Sequence, residues 1–239
     1  MPLPEKFSAL TTMHGNVLAA IDLETTGVQP GFHEIIQIAV VVLNSDFQPH
    51  AGVRPFYTQM RPDHPERESE AAKQKHKIPM EELMLHAPTQ DKVKDWLVEW
   101  WEGLHLPFKR CLVPLAHNWA FESSMLKAWL GVNMTDQVFH SHARDSMLTA
   151  ISIKDRYACR GEKPPFERVG LGPMCNQLKI VNTNPHDALA DCLAGTGSQH
   201  LAGLRDGVYE DESRCLETRF YRWRFRSMKG VPSVASRMS

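Results

Sequence analysis

The chain predicts an α/β fold in which helices flank a mixed sheet. Three observations carry this reading. Apolar and β-branched runs of strand length crowd the first 60 residues, helical periodicity takes over after residue 90, and one more apolar strand run returns at 111–116. Residues 17–23 read as the first strand, the β-branched run 35–43 as the second and 53–60 as the third, joined by turns at 27–31 and 44–52. Short links between consecutive strands predict an antiparallel meander. Residues 62–79 are charged and weakly patterned, with Arg67, Glu68, Glu70, Lys73, Lys75 and Lys77 on a solvated face or loop that is assigned no chemistry.

Helical spacing is clearest at 91–104, where Val93, Trp96, Leu97, Trp100 and Leu104 recur at intervals of three and four. Trp96, Trp100 and Trp101 would suit base stacking, but core spacing favours their covering the sheet. The buried strand 111–116 ends at His117-Asn118, and the helix 121–130 after it places Glu122 in its first turn. Residues 169–178 and 185–194 read as two further helices. The second has Asn184 as N-cap, Pro185 at the first helical position and Asp187 near the positive end of the dipole. The expected organisation is an extension at 1–16, one domain at 17–204 and a C-terminal extension at 205–239.

Charge is nearly balanced at 27 basic and 28 acidic side chains, so any surface that holds a polyanion must be local. Cys111, Cys159, Cys175, Cys192 and Cys215 are odd in number and never spaced as Cys-x-x-Cys, which suggests neither a disulfide framework nor a zinc knuckle. A reducing, cytoplasmic setting is the simplest expectation. The longest apolar run, 35–43, contains Gln37 and falls short of the about 20 residues a membrane helix needs. The first 15 residues are polar and lack the basic-then-apolar order of a secretory signal. No membrane association is expected.

Chemistry enters where the run Val17 to Ile21 delivers Asp22 and Glu24 and stops at Gly27. Positions i and i+2 of a strand share a face, so the two carboxylates point the same way and repel unless cations lie between them. Carboxylate oxygens in such a pair suit Mg²⁺ or Mn²⁺. A polar strand end feeding a turn is the alternative. Two later segments favour the metal reading: His117-Asn118-Trp119-Ala120-Phe121-Glu122 and His186-Asp187-Ala188-Leu189-Ala190-Asp191.

Together these segments resemble the DEDD superfamily of 3′-to-5′ exonucleases, of DnaQ-like, ribonuclease H-like fold, in the branch with a histidine five residues before its last aspartate. The family's motifs are Asp-x-Glu-Thr-x-Gly, His-Asn-x-x-Phe-Asp and His-x-Ala-x-x-Asp. This sequence matches them with Asp22, Glu24, Thr25 and Gly27, then His117, Asn118 and Phe121, then His186, Ala188 and Asp191. Glu122 departs from the pattern, which has aspartate there. The similarity extends over roughly 17–200, with Asp145-Ser146 where the family starts its penultimate helix.

The resemblance implies two bound Mg²⁺ or Mn²⁺ ions held by Asp22, Glu24, Glu122 and Asp191. Asp22 would bridge both ions, Glu24 and Asp191 would complete the site of the attacking water, and Glu122 would hold the second ion partly through water. Cations about 4 Å apart stabilise both the entering and the leaving oxygen of phosphodiester hydrolysis. His186 would act as general base, a role suited to an imidazole of ordinary pKa about 6.5. Five residues of ideal helix separate His186 and Asp191 by about 140°, so His186 must lie in an irregular first turn for both to face the ions. Asp187 competes for Asp191's face and is read as a helix-dipole residue.

Leu23, Thr25, Thr26, His117 and Asn118 are the implied substrate-binding residues, with strand-end hydrogen bonding as the competing reading. His140 and His142 have no third ligand in sequence and are read as structural or surface residues. Residues 220–226 interleave four aromatics with three arginines, a stretch that suits either stacking on single-stranded nucleic acid or packing on the domain or a partner. The expected function is a 3′-to-5′ exonuclease releasing 5′-mononucleotides from a nucleic acid with a free 3′ end. DNA proofreading or end-trimming in replication or repair leads, with a polymerase or replication partner docking on the arm. An exoribonuclease of ribonuclease T or oligoribonuclease type and a weakly active nuclease-like binding module are the alternatives.

Overall fold

The computed structural model describes residues 16–44 and 47–205, and the side chains of α8 as far as Ser198. Five strands are ordered β3-β2-β1-β4-β5, with β1 (Val17–Thr25) in the centre. It pairs antiparallel with β2 (Ile35–Val42), which pairs antiparallel with β3 (Phe56–Gln59). On its other side β1 runs parallel to β4 (Leu112–Ala116), which runs parallel to the two-residue β5 (Arg144–Asp145). The predicted meander and mixed α/β sheet are present.

Alternation along β1 divides the core. Val17, Ala19, Ile21 and Leu23 face a cluster closed by Trp96 and Leu97 of α3 (Gln90–Glu102) and Met125 and Leu126 of α4 (Trp119–Leu130). Leu18 and Ala20 face the opposite cluster, which holds Ala188 and Cys192 of α8 (Ala188–Arg205). Asp22 and Glu24 share the parity of Leu18 and Ala20, so the strand aims them at α8. Trp96 is buried, and Trp100 and Trp101 pack against the same cluster, so the tryptophans cover the sheet as their spacing predicts.

Several expectations are corrected. The third strand is shorter than 53–60, because Pro55 supplies no ladder donor and the backbone turns back from Val53 N to His50 O at 3.1 Å. Residues 62–79 are not all loop; they hold a 3₁₀ turn, α1 (Glu70–His76), whose lysines are on a solvated face, and Pro79, the N-cap of α2 (Met80–His86). Helix α8 begins at Ala188 rather than 185 and runs on to Arg205. His186 is left-handed at φ 67°, and the Asp187 side chain accepts from Ala190 N at 3.1 Å, so Asp187 caps in place of Asn184. The helix expected at 169–178 is α7 (Leu171–Leu178). Two helices not read from local pattern, α5 (Val132–Val138) and α6 (Ser146–Cys159), complete the set. Residues 1–15, the arm at 220–226 and Cys215 lie outside the described residues, in which Cys111, Cys159, Cys175 and Cys192 are free thiols. Among the described residues, no helix is long and apolar enough to cross a membrane.

One carboxylate joins two helix starts. Asp145 accepts from Met147 N at 2.9 Å and Leu148 N at 3.1 Å, capping its own helix α6. It also accepts from Trp119 N at 2.8 Å and Asn118 N at 3.3 Å, serving α4, whose own N-cap residue Asn118 is left-handed and makes no side-chain cap. Each cap is worth about 1 kcal/mol. We expect Asp145→Ala to cost roughly 2–3 kcal/mol and to lower Tm by roughly 5–10 °C in calorimetry. An unchanged Tm would show that the shared cap carries no stability.

Candidate active site

Three segments meet at the end of β1. The strand supplies Asp22 and Glu24, the first turn of α4 supplies Glu122, and the turn into α8 supplies His186 and Asp191. Glu24, His186 and Asp191 each place one ligand atom within 4.8 Å of the others. Glu122 is 4% exposed, and its Oε2 has no hydrogen-bond partner. An unpaired buried carboxylate oxygen is costly, and a cation would satisfy it.

The electrostatics express the same crowding. Asp22 keeps some accessible surface, yet it is enclosed by protein, and burial pushes its carboxyl well above the usual range. Glu122, Asp191, Glu24 and Asp187 push it further in that order. Burial, then Asp191 and Asp187, push Glu24 up to about 8, against a lowering influence from Lys75. Burial raises Glu122, and Asp145 adds to the effect. Asp191 is raised by burial and is partly compensated by hydrogen bonds from Asn182 Nδ2 at 2.5 Å and His186 N at 3.2 Å. Divalent cations fit this donor set: hard oxygens with mutual repulsion to neutralise.

The left-handed turn at His186 resolves the 140° problem, because the residue stands outside the helix and its own backbone N–H reaches Asp191 five positions on. Asp187 has other duties. Its Oδ2 accepts from Tyr57 Oη at 2.6 Å and lies 3.5 Å from Gln37 Nε2, while Gln37 Oε1 accepts from Ala188 N at 2.9 Å. Gln37 and Tyr57 thus clamp the start of α8 to β2 and β3. Sequence reading missed this clamp, although a lone amide inside the apolar run 35–43 was its signal. Burial, followed by the Asp187 hydrogen bond, raises the Tyr57 phenol, which therefore stays a donor.

The five residues expected to bind substrate are placed differently. The Leu23 side chain belongs to the core, 6% exposed, and its backbone lies in the ladder opposite Ile38. Thr25 Oγ1 donates to Gly27 O at 2.7 Å, and Thr26 Oγ1 accepts from Glu34 N at 2.9 Å, so both hydroxyls shape the turn after β1. His117 Nδ1 lies 2.8 Å from Ser146 Oγ, and Asn118 makes the bend into α4. Burial lowers the His117 imidazole.

The exonuclease family model of RNase T type matches residues 19–196. Among solved structures, E. coli exonuclease I in complex with a dA16 oligonucleotide aligns with a TM-score of 0.62 at 16% identity, covering 81% of this chain and 42% of that one. A 3′-exonuclease described for 3′-end recognition of a histone mRNA stem-loop aligns with a TM-score of 0.57 at 16% identity, covering 84% and 67%. Cell-death related nuclease 4 gives 0.57 at 18% identity, covering 79% and 64%. At these identities the likeness is one of fold. This chain spans about two fifths of the exonuclease I structures it matches. Comparison with curated proteins gives no significant sequence match.

The raised carboxylates set a pH dependence. A carboxyl whose folded pKa is raised stabilises the fold fully below its unfolded value, here 4.5, and loses that contribution as pH rises through about 8. We expect the gap in Tm between protein with Mg²⁺ and protein in chelator to widen across this window, and to widen less in Glu24→Gln. Parallel melting curves at all pH values would dissociate these carboxylates from metal binding.

Proposed function

The chain belongs to the exonuclease family, and from that premise we propose that it is a metal-dependent 3′-to-5′ exonuclease. It would hydrolyse the terminal phosphodiester of a nucleic acid and release 5′-mononucleotides. One observation carries the reading: Glu24, His186 and Asp191 converge within 4.8 Å beside Asp22, whose carboxyl is raised by all of its acidic neighbours, the buried Glu122 first among them.

Asp22, Glu24, Glu122 and Asp191 would hold the cations, two Mg²⁺ or Mn²⁺ by this reading. When bound, they supply positive charge for the entering and leaving oxygens of phosphodiester hydrolysis. The protein's own part is positioning and proton transfer. His186, exposed on its left-handed turn and tied by its backbone N–H to Asp191, takes the proton of the attacking water. Asn182 fixes the other Asp191 oxygen, and the Gln37–Tyr57–Asp187 clamp keeps the turn from drifting. Misplacement by about 1 Å can cost on the order of 100-fold in rate, so these supports matter to catalysis.

Glu122 stands where the family pattern has aspartate, the one sequence feature in favour of an inert module, yet its placement supports an active site. Its carboxylate points into the buried centre, where Asp22 is raised by it more than by any other charged neighbour. DNA is the first substrate to test, with RNA as its paired alternative, since the similar structures include one with an oligodeoxynucleotide and a 3′-exonuclease that recognises a histone mRNA stem-loop.

The experiment is a time course on 5′-labelled single-stranded DNA and RNA of equal sequence with Mg²⁺, beside an EDTA control. A ladder shortening from the 3′ end, abolished by EDTA, is expected. His186→Ala should lower kcat by about 10²- to 10⁴-fold. Glu122→Asp should keep or raise activity, and Glu122→Ala should lose most of it. Intact substrate with binding retained would replace the enzyme with a nuclease-like binding module, and an unaffected Glu122→Ala would remove Glu122 from the site.

A further inference from the structure

The charged segment between β3 and α2 lies against the carboxylate cluster. Ser69 N donates to Thr26 O at 2.8 Å, and Ser69 Oγ caps α1 by accepting from Ala72 N at 3.2 Å, so the helix starts from the turn that follows Asp22 and Glu24. Its other end is held from inside. Ile78 N donates to His76 Nδ1 at 3.0 Å, which leaves Nε2 to carry the proton of the neutral ring. That Nε2 lies 3.3 Å from Glu68 Oε1, with side chains 1% and 10% exposed, and neither atom has a hydrogen-bond partner. Burial lowers the His76 imidazole and His186 lowers it further, so this end of the helix is within electrostatic reach of the proposed base.

Locked at both ends, this short helix and its C-cap present Lys73, Lys75 and Lys77 with one acid, Glu70, alongside. Lys75 is exposed and directly precedes the buried His76. Its charge is the one that lowers Glu24 against the raising effects of burial and of two aspartates. A polyanion brought to a group of carboxylates is repelled, and a chain of net charge −1 offers it no global attraction. A local cation beside the cluster meets that need, and an ammonium does so without regard to base sequence.

We propose that Lys75, on the helix that Ser69 anchors to the end of β1, contacts a backbone phosphate of the bound single strand next to the scissile end. This rests on the exonuclease reading of the site. The role is electrostatic, so it has a signature that a structural role lacks: each phosphate contact on a single strand contributes about 0.7 to the slope of log affinity against log salt.

The test measures binding of a 5′-fluorescein single-stranded oligonucleotide by anisotropy between about 50 and 200 mM NaCl, using full-length protein in the His186→Ala background so that the strand stays intact. Steady-state kinetics are run in the otherwise native protein. Lys75→Ala is expected to weaken binding several-fold, to reduce the salt slope by about 0.7, and to raise KM with kcat largely kept. Lys75→Arg should restore most of the slope. Lys94→Ala, which removes a lysine paired with Asp91 at 3.0 Å on α3, should match its parent. An unchanged slope and KM in Lys75→Ala would overturn the inference, as would a fall in kcat alone, which would mean that Lys75 acts only by tuning Glu24. Failure of the native protein to bind or trim any oligonucleotide would instead remove the exonuclease reading itself.

Discussion

Carboxylates that repel one another in an apolar setting are the constraint around which this structure is arranged. Asp22 sits at the end of a central strand whose neighbours are almost all buried, and Glu122, Asp191, Glu24 and Asp187 all raise its carboxyl. Nothing in the local sequence relieves that repulsion; it persists because the core on both faces of β1 forces the chain segments together. A folded protein tolerates such a cost where the surrounding packing over-determines it, and such sites concentrate at function.

Relief is partial and unevenly distributed. Asp191 has an amide and a backbone N–H, Asp187 has a phenol, a helix cap and a nearby amide, and Glu24 has the field of Lys75. Glu122 Oε2 has no such partner. Glu122 is therefore the least compensated of the carboxylates proposed to hold cations. Asp187 neighbours His186 and lies four residues before Asp191, yet its oxygens are committed to Tyr57 and to the Ala190 N–H, so it builds the frame.

Rigid elements support this frame at two points. Asp145 ties the starts of α4 and α6 together beside β4, and so fixes the turn from which Glu122 projects. Gln37 and Tyr57, on neighbouring strands, tie the start of α8 to the sheet, and so fix the turn that carries His186. The left-handed φ of His186 is strain held by those ties. The basic helix α1 is bound to the same strand end through Ser69 and Thr26, which brings positive charge next to the carboxylates in a molecule whose total charge is near zero.

Much of this was legible in the sequence, for identifiable reasons. Alternation along 17–23 placed Asp22 and Glu24 on one face, and three-four spacing along 91–104 placed the tryptophans in the core, because each pattern reports burial of a single element. Of the five chemical residues nominated between Asp22 and Asp191, tertiary structure brings Glu24, His186 and Asp191 within 4.8 Å and places Asp22 where Glu122 and the other carboxylates raise it. What local pattern could not supply depends on distant partners. Gln37 meets Asp187 across 150 positions, and Asp145 caps a helix 26 residues upstream, so neither duty leaves a periodic trace. The start of α8 moved from 185 to Ala188 because that clamp holds Asp187 as the cap, overriding the ordinary preference for Asn184 and Pro185. Residues 62–79 read as solvated charge because the buried His76–Glu68 pair looks like any other polar pair until packing removes it from water. Sequence by itself determined which residues could do the chemistry; only the tertiary structure decided which carboxylates are supported, which are left repelling, and which lysine stands beside them, because those are properties of distance and dielectric rather than of order along the chain.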